Sequence, residues 1–280
     1  MRPVRKSSLK PIRKRRETMM TRPKHDDGFV SDFGGLGDSL CPGASPASTS
    51  PDSASCPAGM PNDAAVPLDP DTRIGMPGAT PVEEAIVRAE WRQFQGVNNE
   101  GGRAACQGNW PTFHQMRLAQ FLTWPHDAKI SYLADLTQAD AQGRNLLTEK
   151  YARMMQSTDP DYYRAHLEPF LPALDTVRIE QQERIIAMQV AWAQDFTNRY
   201  PRLGAAMRTL RTTDDTRDST SFETYLRGEL STYSQRTLDL YEAMVRDCER
   251  RGENLTSLTI RNTVLLGGFA SLDEAEAEQA

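Results

Sequence analysis

Residues 90–124 read EWRQFQGVNNEGGRAACQGNWPTFHQMRLAQFLTW. Three of the four tryptophans fall in this stretch, together with a Gly-Gly-Arg turn, an interior cysteine and arginines set among aromatics. Just upstream, Ile86, Val87, Glu90, Trp91 and Phe94 recur at three- and four-residue spacing, which predicts a helix with one buried face. Glu90 lies on that apolar face. Thr80-Pro81-Val82-Glu83 starts the helix, with Thr at the cap, Pro at the first helical position and Glu at the third. It should run to about Val97, and Asn98 to Gly102 breaks it. A second helix is expected over Thr112–Thr123, burying Phe113, Met116, Phe121 and Trp124, and Pro125 follows it.

The same spacing continues outward. Asp127 can cap a third helix carrying Ile130, Leu133, Leu136 and Ala139 at helical intervals. Gly143-Arg144-Asn145 breaks or kinks it, and Leu146, Leu147, Tyr151, Met154 and Met155 resume the pattern. Ser157–Pro172 reads as a Pro-punctuated connection with a turn at Tyr162–Leu167. A long helix over Ala173–Tyr200 shows the stripe Leu174, Val177, Gln181, Ile185, Met188, Trp192 and Phe196, which makes Trp192 a core residue. A short helix is expected near Gly204–Leu210. Thr220-Ser221-Phe222-Glu223 is a second start box, opening a helix that should reach Arg251, with Gly252 as its stop. Asn254 can cap another through Leu266, and Ser271 with Glu274 starts an acidic tail helix. No run of period-two alternation occurs. These patterns predict an all-α chain, a compact multi-helix domain.

Composition places the boundary of that domain. Before residue 80 lie 11 of the 18 prolines and only two aromatics, Phe29 and Phe33, whereas all four Trp and all eight Tyr follow it. So few large apolar side chains cannot offset the entropy of ordering. Residues 1–79 are therefore expected to be a disordered arm, basic and then Pro/Ser/Ala-rich, and 80–280 a single helical domain. The first 19 residues carry eight Lys and Arg against Glu17, a charge of +7, so the remainder carries −12 of the net −5. An acidic body argues against a nucleic-acid groove, which needs clustered cations. The basic run can be a solvated arm, and Met19 and Met20 offer later starts. No apolar run matches an export signal or a membrane span. Cys41, Cys56, Cys106 and Cys248 show no paired spacing, and His25, His114, His126 and His166 stand apart. Neither a disulfide framework nor a metal-ligand set is expected, and a reducing cytoplasm fits best.

Three constellations could carry chemistry. In Glu100-Gly101-Gly102-Arg103 through Cys106-Gln107, two glycines can turn amides toward an anion while Arg103 adds a bidentate donor. The plain alternative is a glycine turn between helices. In Gly143–Tyr151, Arg144, Glu149 and Lys150, with Arg153 just beyond, form either an acid–base group or a solvated face laced with ion pairs. Asp214-Asp215-Thr216-Arg217-Asp218, leading into Glu223, Arg227 and Glu229, lacks a calcium-loop pattern and reads as an acidic surface loop.

The runs EWRQFQGVNNEGGRAACQ, TFHQMRLAQFLTW, GRNLLTEKYARMM and TSFETYLRGELSTYS occur in this order over residues 83–245. In them the chain resembles an uncharacterised bacterial family, domain of unknown function family 4125. The resemblance implies a helical module that works beside a nucleotidyltransferase-like enzyme, and it implies no reaction. Three readings follow. The domain binds a small anionic ligand, nucleotide- or phosphate-like, through Glu90, Arg103, Gln107, Arg117, Arg144, Glu149 and Lys150. Alternatively it is an enzyme with Glu149 or Glu90 as base and the arginines as a clamp, or a module whose helix face docks a protein. In the first two readings Arg103, Arg117 and Arg144 should converge on one anion-sized cavity.

Overall fold

The computed structural model describes residues 79–98, 105–217 and 219–279. In chain order the helices are α1 (Pro81–Gln95), α2 (Trp110–Phe121), α3 (His126–Ala141), α4 (Leu146–Thr158), α5 (Pro160–Tyr162), α6 (Thr176–Arg199), α7 (Pro201–Ala205), α8 (Phe222–Leu230), α9 (Gln235–Arg251), α10 (Leu255–Leu266) and α11 (Leu272–Glu278). Among the described residues there is no strand, only a lone bridge between Thr216 and Ser219. The all-α reading holds.

The helix starts are written in short polar side chains. Asn109, Asn145, Asp175, Ser221, Ser234, Asn254 and Ser271 each accept the backbone N–H three residues on. Each satisfies a donor that has no partner inside its helix. At α1 the Glu83 carboxylate accepts the Thr80 N–H at 2.8 Å and also meets Lys129 of α3, so the expected start box is locked to a second helix.

Several boundaries differ from those the spacing predicts. α2 begins at Trp110, two residues early, because Asn109 supplies the cap by accepting the Thr112 N–H. α3 begins at His126, with Pro125 at the cap position and Asp127 already in the first turn. Ser221, not Thr220, caps α8, and Glu223 instead accepts from Thr212 N–H and Arg227. The helix expected to run unbroken to Arg251 is two, parted at Ser231–Ser234, where Ser234 caps α9. Gly252, at φ 67°, stops α9 as expected. The Ser157–Pro172 connection contains α5, a π-helical turn at Tyr163–Leu167 and a 3-10 turn at Glu168–Phe170. The short helix near Gly204 lies earlier, as α7.

α6 is rotated relative to its predicted stripe. Gln181, Ile185 and Phe196 of the stripe are buried, but Val177 is 75% exposed and Trp192 only partly covered, while Gln182, Gln189, Val190 and Ala193 share the inner face. The expectation of a core Trp192 is corrected to the rim. The glutamines are tolerated inside because they find partners: Gln189 donates to the Tyr241 hydroxyl at 2.9 Å and Gln182 to the Leu230 carbonyl at 3.3 Å.

The main core runs from Ile86, Phe94 and Phe113 through Trp124, Tyr132 and Tyr233 to Tyr241 and Leu255. α4 crosses α8 at close range, α10 lies across α2 and α6, and α3 packs on α1 and α9. A second cluster joins Phe196, Leu203, Ile260, Val264 and Ala275, and a third gathers Ala152, Met155, Tyr163 and Leu167 around the π-helical turn.

Candidate functional site

α1, α2, α4 and α8 bring the charged side chains of Glu90, Arg117, Lys150 and Glu229 together in the main core. All four are buried. Each sits among apolar neighbours in its own helix, so burying that face carries the charge inward. Burial of a charge costs several kcal/mol unless it is paired and hydrogen-bonded, and here every charge is paired.

Arg117 forms a two-pronged contact with Glu90, Nε donating to Oε2 and Nη2 to Oε1, each at 2.6 Å. Nη2 also donates to Glu229 Oε1 at 3.2 Å, and Nη1 donates to Gln120 Oε1 at 2.6 Å. Lys150 Nζ donates to Glu229 Oε2 at 2.9 Å and stands 3.5 Å from the centre of the Tyr225 ring, a cation–π contact. The Tyr132 hydroxyl donates to Glu90 Oε1 at 2.8 Å, and the Tyr233 hydroxyl to Glu229 Oε1 at 3.1 Å. Two carboxylates face two cations, so the cluster sums to zero.

Electrostatics follow from that packing. Burial alone would raise the Glu229 carboxyl, but Arg117 and Lys150 outweigh it and hold the group well below the usual carboxylate range. Burial would lower Arg117, yet Glu229 and Glu90 drive it well above its ordinary value. Burial and then the adjoining carboxylates raise Tyr132 and Tyr233, so both phenols stay neutral and act as donors.

Beside the cluster lies a cavity of about 140 Å³. Arg117, Gln120 and Glu229 form its polar end. Trp124, Phe222, Tyr225, Leu226, Leu255 and Ile260 supply much of its apolar wall, Met207 and Arg208 stand at one side, and Thr256, Thr259 and Thr263 of α10 line another. Arg208 donates to the Thr220 carbonyl and hydroxyl and lies 5.1 Å from the Tyr225 ring centre.

The seven residues expected to bind a ligand separate into groups. Glu90, Arg117 and Lys150 meet. Arg144 and Glu149 make their own two-pronged pair, at 2.8 and 2.7 Å, with the Arg144 side chain 39% exposed. Gln107 donates to the Phe94 and Val97 carbonyls at 2.8 and 3.0 Å, closing the C-terminal end of α1. Arg103 lies outside the described residues. Within them, acids neutralise both arginines of the expected clamp, Arg117 through Glu90 and Glu229 and Arg144 through Glu149. Glu229, expected with an acidic surface loop, is instead buried in the core, and with Gln120, Tyr132 and Tyr233, which the sequence reading did not single out as site residues, it completes the cluster. For Glu229 a signal existed: it lies between Leu226 and Leu230 on the apolar stripe of α8, as Glu90 does on α1. Among the described residues no three His, Cys, Asp or Glu gather in a metal-binding arrangement, and no helix is long and apolar enough to cross a membrane.

The fold and the site define a class: an all-helical domain with a buried, charge-balanced cluster at the polar end of an apolar-walled cavity. Residues 81–277 match the family described as "Protein of unknown function (DUF4125)", and the chain belongs to it. A search of curated proteins and one of solved structures return no match.

Proposed function

We propose that the domain binds a small molecule in the cavity between α2, α8, α9 and α10. One observation carries this reading. A space of about 140 Å³ is bordered by large apolar side chains and by a limited set of hydrogen-bonding groups, Arg117, Gln120 and Glu229 among them. That combination is the usual form of a ligand site. The scale is that of one ring, since an engineered apolar cavity of about 150 Å³ takes up benzene. A whole nucleotide is far larger. The anionic ligand anticipated from the arginines would find Arg117 already matched by two carboxylates. The occupant favoured by the geometry is mostly apolar.

An enzymatic role with Glu90 as base has less support, because both oxygens of Glu90 are held by Arg117 and Tyr132. The pairing with a nucleotidyltransferase-like enzyme rests on family resemblance alone. A ligand bound only by the folded state raises the melting temperature, so a thermal-shift panel of single-ring compounds on the full chain is the test. Leu226→Trp, which fills the cavity, should abolish shifts seen with the native chain. Shifts that survive the substitution, or their absence throughout the panel, would refute the reading.

A further inference from the structure

Resting on the cavity being a ligand site, we propose that its occupant is neutral, one ring in size, and carries a single acceptor oxygen seated at Arg117 and Gln120.

Hydrogen-bond accounting at the polar end carries this. A carboxylate offers about four lone-pair positions. Glu229 receives four donors: Arg117 Nη2, Gln120 Nε2 at 2.9 Å and Tyr233 Oη on one oxygen, and Lys150 on the other. Oε1 therefore has no lone pair left for a ligand hydroxyl or amine, and the one left on Oε2 lies beside Lys150, which does not line the cavity. Arg117 commits Nε and both hydrogens of Nη2 to the two acids, and one hydrogen of Nη1 to Gln120. Gln120 commits one of its two amide hydrogens to Glu229. Two N–H groups remain at this end, one on Arg117 Nη1 and one on Gln120 Nε2, against a single lone pair on Gln120 Oε1. The Thr256 hydroxyl, also on the lining, makes no hydrogen bond among the described residues, and it can turn either to donate or to accept. At Arg117 and Gln120 donors outnumber acceptors two to one, so the complementary head there is an acceptor.

Charge decides what sort of acceptor. Glu90, Glu229, Arg117 and Lys150 sum to zero. A carboxylate or phosphate seated at Arg117 and Gln120 would take the four-charge cluster to −1, a cost that only Arg208, on another side of the cavity and bonded to Thr220, could offset. A carbonyl oxygen accepts both N–H groups with no such cost. The rest of the molecule lies against Trp124, Phe222, Leu226 and Ile260 and needs no polar atoms. The class that fits is a small aryl or cyclic ketone, ester or lactone.

The test titrates the full chain with three probes of like size: acetophenone, ethylbenzene and benzoate, read by isothermal titration and by indole and methyl NMR shifts. Acetophenone should bind at least about tenfold more tightly than either of the others, the order of one hydrogen bond made to a charged group. Gln120→Met should bring acetophenone down to the affinity of ethylbenzene while ethylbenzene itself is unchanged. Benzoate binding best would show an anionic head and overturn the proposal. Equal binding of acetophenone and ethylbenzene would also overturn it, yet leave the cavity reading standing. Binding of none of the three, with no NMR shift at Trp124, would remove both.

Discussion

A Cβ placed on Gly228 would stand 2.9 Å from the backbone carbonyl oxygen of Lys150 and 3.0 Å from Met154 Cγ. α8 and α4 cross here nearly backbone to backbone, and the crossing delivers both Lys150 and Glu229 to the cluster. Alanine is the better helix former by about 1 kcal/mol, so propensity alone would make Gly228→Ala stabilising. Overpacking against a carbonyl that cannot rotate away should win, and the variant should lose about 1–3 kcal/mol in urea unfolding. A gain in stability would show that the helices separate without cost, and would weaken the geometry assigned to the cluster.

The cluster should behave as a unit. Glu229→Gln retains the shape but leaves Arg117 and Lys150 facing one carboxylate, and breaking a buried pair in this way typically costs about 3–5 kcal/mol. Adding Lys150→Met restores the charge balance. The double variant should therefore be less destabilised than the sum of the two single variants, a coupling visible in a double-mutant cycle. Strict additivity would mean that the four charges do not sense one another.

Acidity supplies a separate handle. Glu229 titrates well below the carboxylate range when folded, because Arg117 and Lys150 outweigh its burial. In the unfolded chain it titrates near the ordinary value of about 4.3. The unfolded state therefore takes up the proton first. Its stabilising contribution is complete above that pH and drains away as the pH falls below it toward the folded-state value. Wild-type stability should fall steeply below about pH 4, while Glu229→Gln, with no proton to gain there, should show a flatter curve. Parallel curves from guanidinium melts at successive pH values would contradict this.

Much of the arrangement was legible in the chain. Glu90 declared itself as an acid on an apolar stripe, and Arg117 as a cation flanked by Met116 and Leu118. Their pairing was not legible, because spacing fixes which face a side chain occupies and says nothing of the helix that will meet it. Glu229 lies 112 residues from Arg117, and only the α2–α8 approach joins them. The break between α8 and α9 was hidden because Leu230 and Tyr233 continue the helical stripe, while the decisive signal was a single capping serine, Ser234. The rotation of α6 was hidden for a different reason. Gln182 and Gln189 count as polar in any periodicity, yet they are buried against groups of α8 and α9 that need partners.

The acidic tail is bound to the cavity wall through the second cluster. Glu276 of α11 accepts the backbone N–H groups of Arg202 and Leu203 at 2.8 Å each, capping α7, and Ala275 is fully buried beside Phe196, Leu203 and Ile260. Ile260 also lines the cavity, as does Met207, which packs on the same cluster. Truncation after Ala270 removes a charge-assisted cap and exposes apolar surface, so it should cost about 2–4 kcal/mol. Glu276→Gln, which keeps an acceptor but loses the charge, should cost less, about 1 kcal/mol. The effect should also reach the cavity. With Ile260 and Met207 released on one side, acetophenone affinity should fall several-fold in the truncated chain and little in Glu276→Gln. Calorimetric melts and titrations of the three proteins side by side test both parts. Full affinity in a truncated chain that has lost the expected stability would show that the cavity wall is held without the tail.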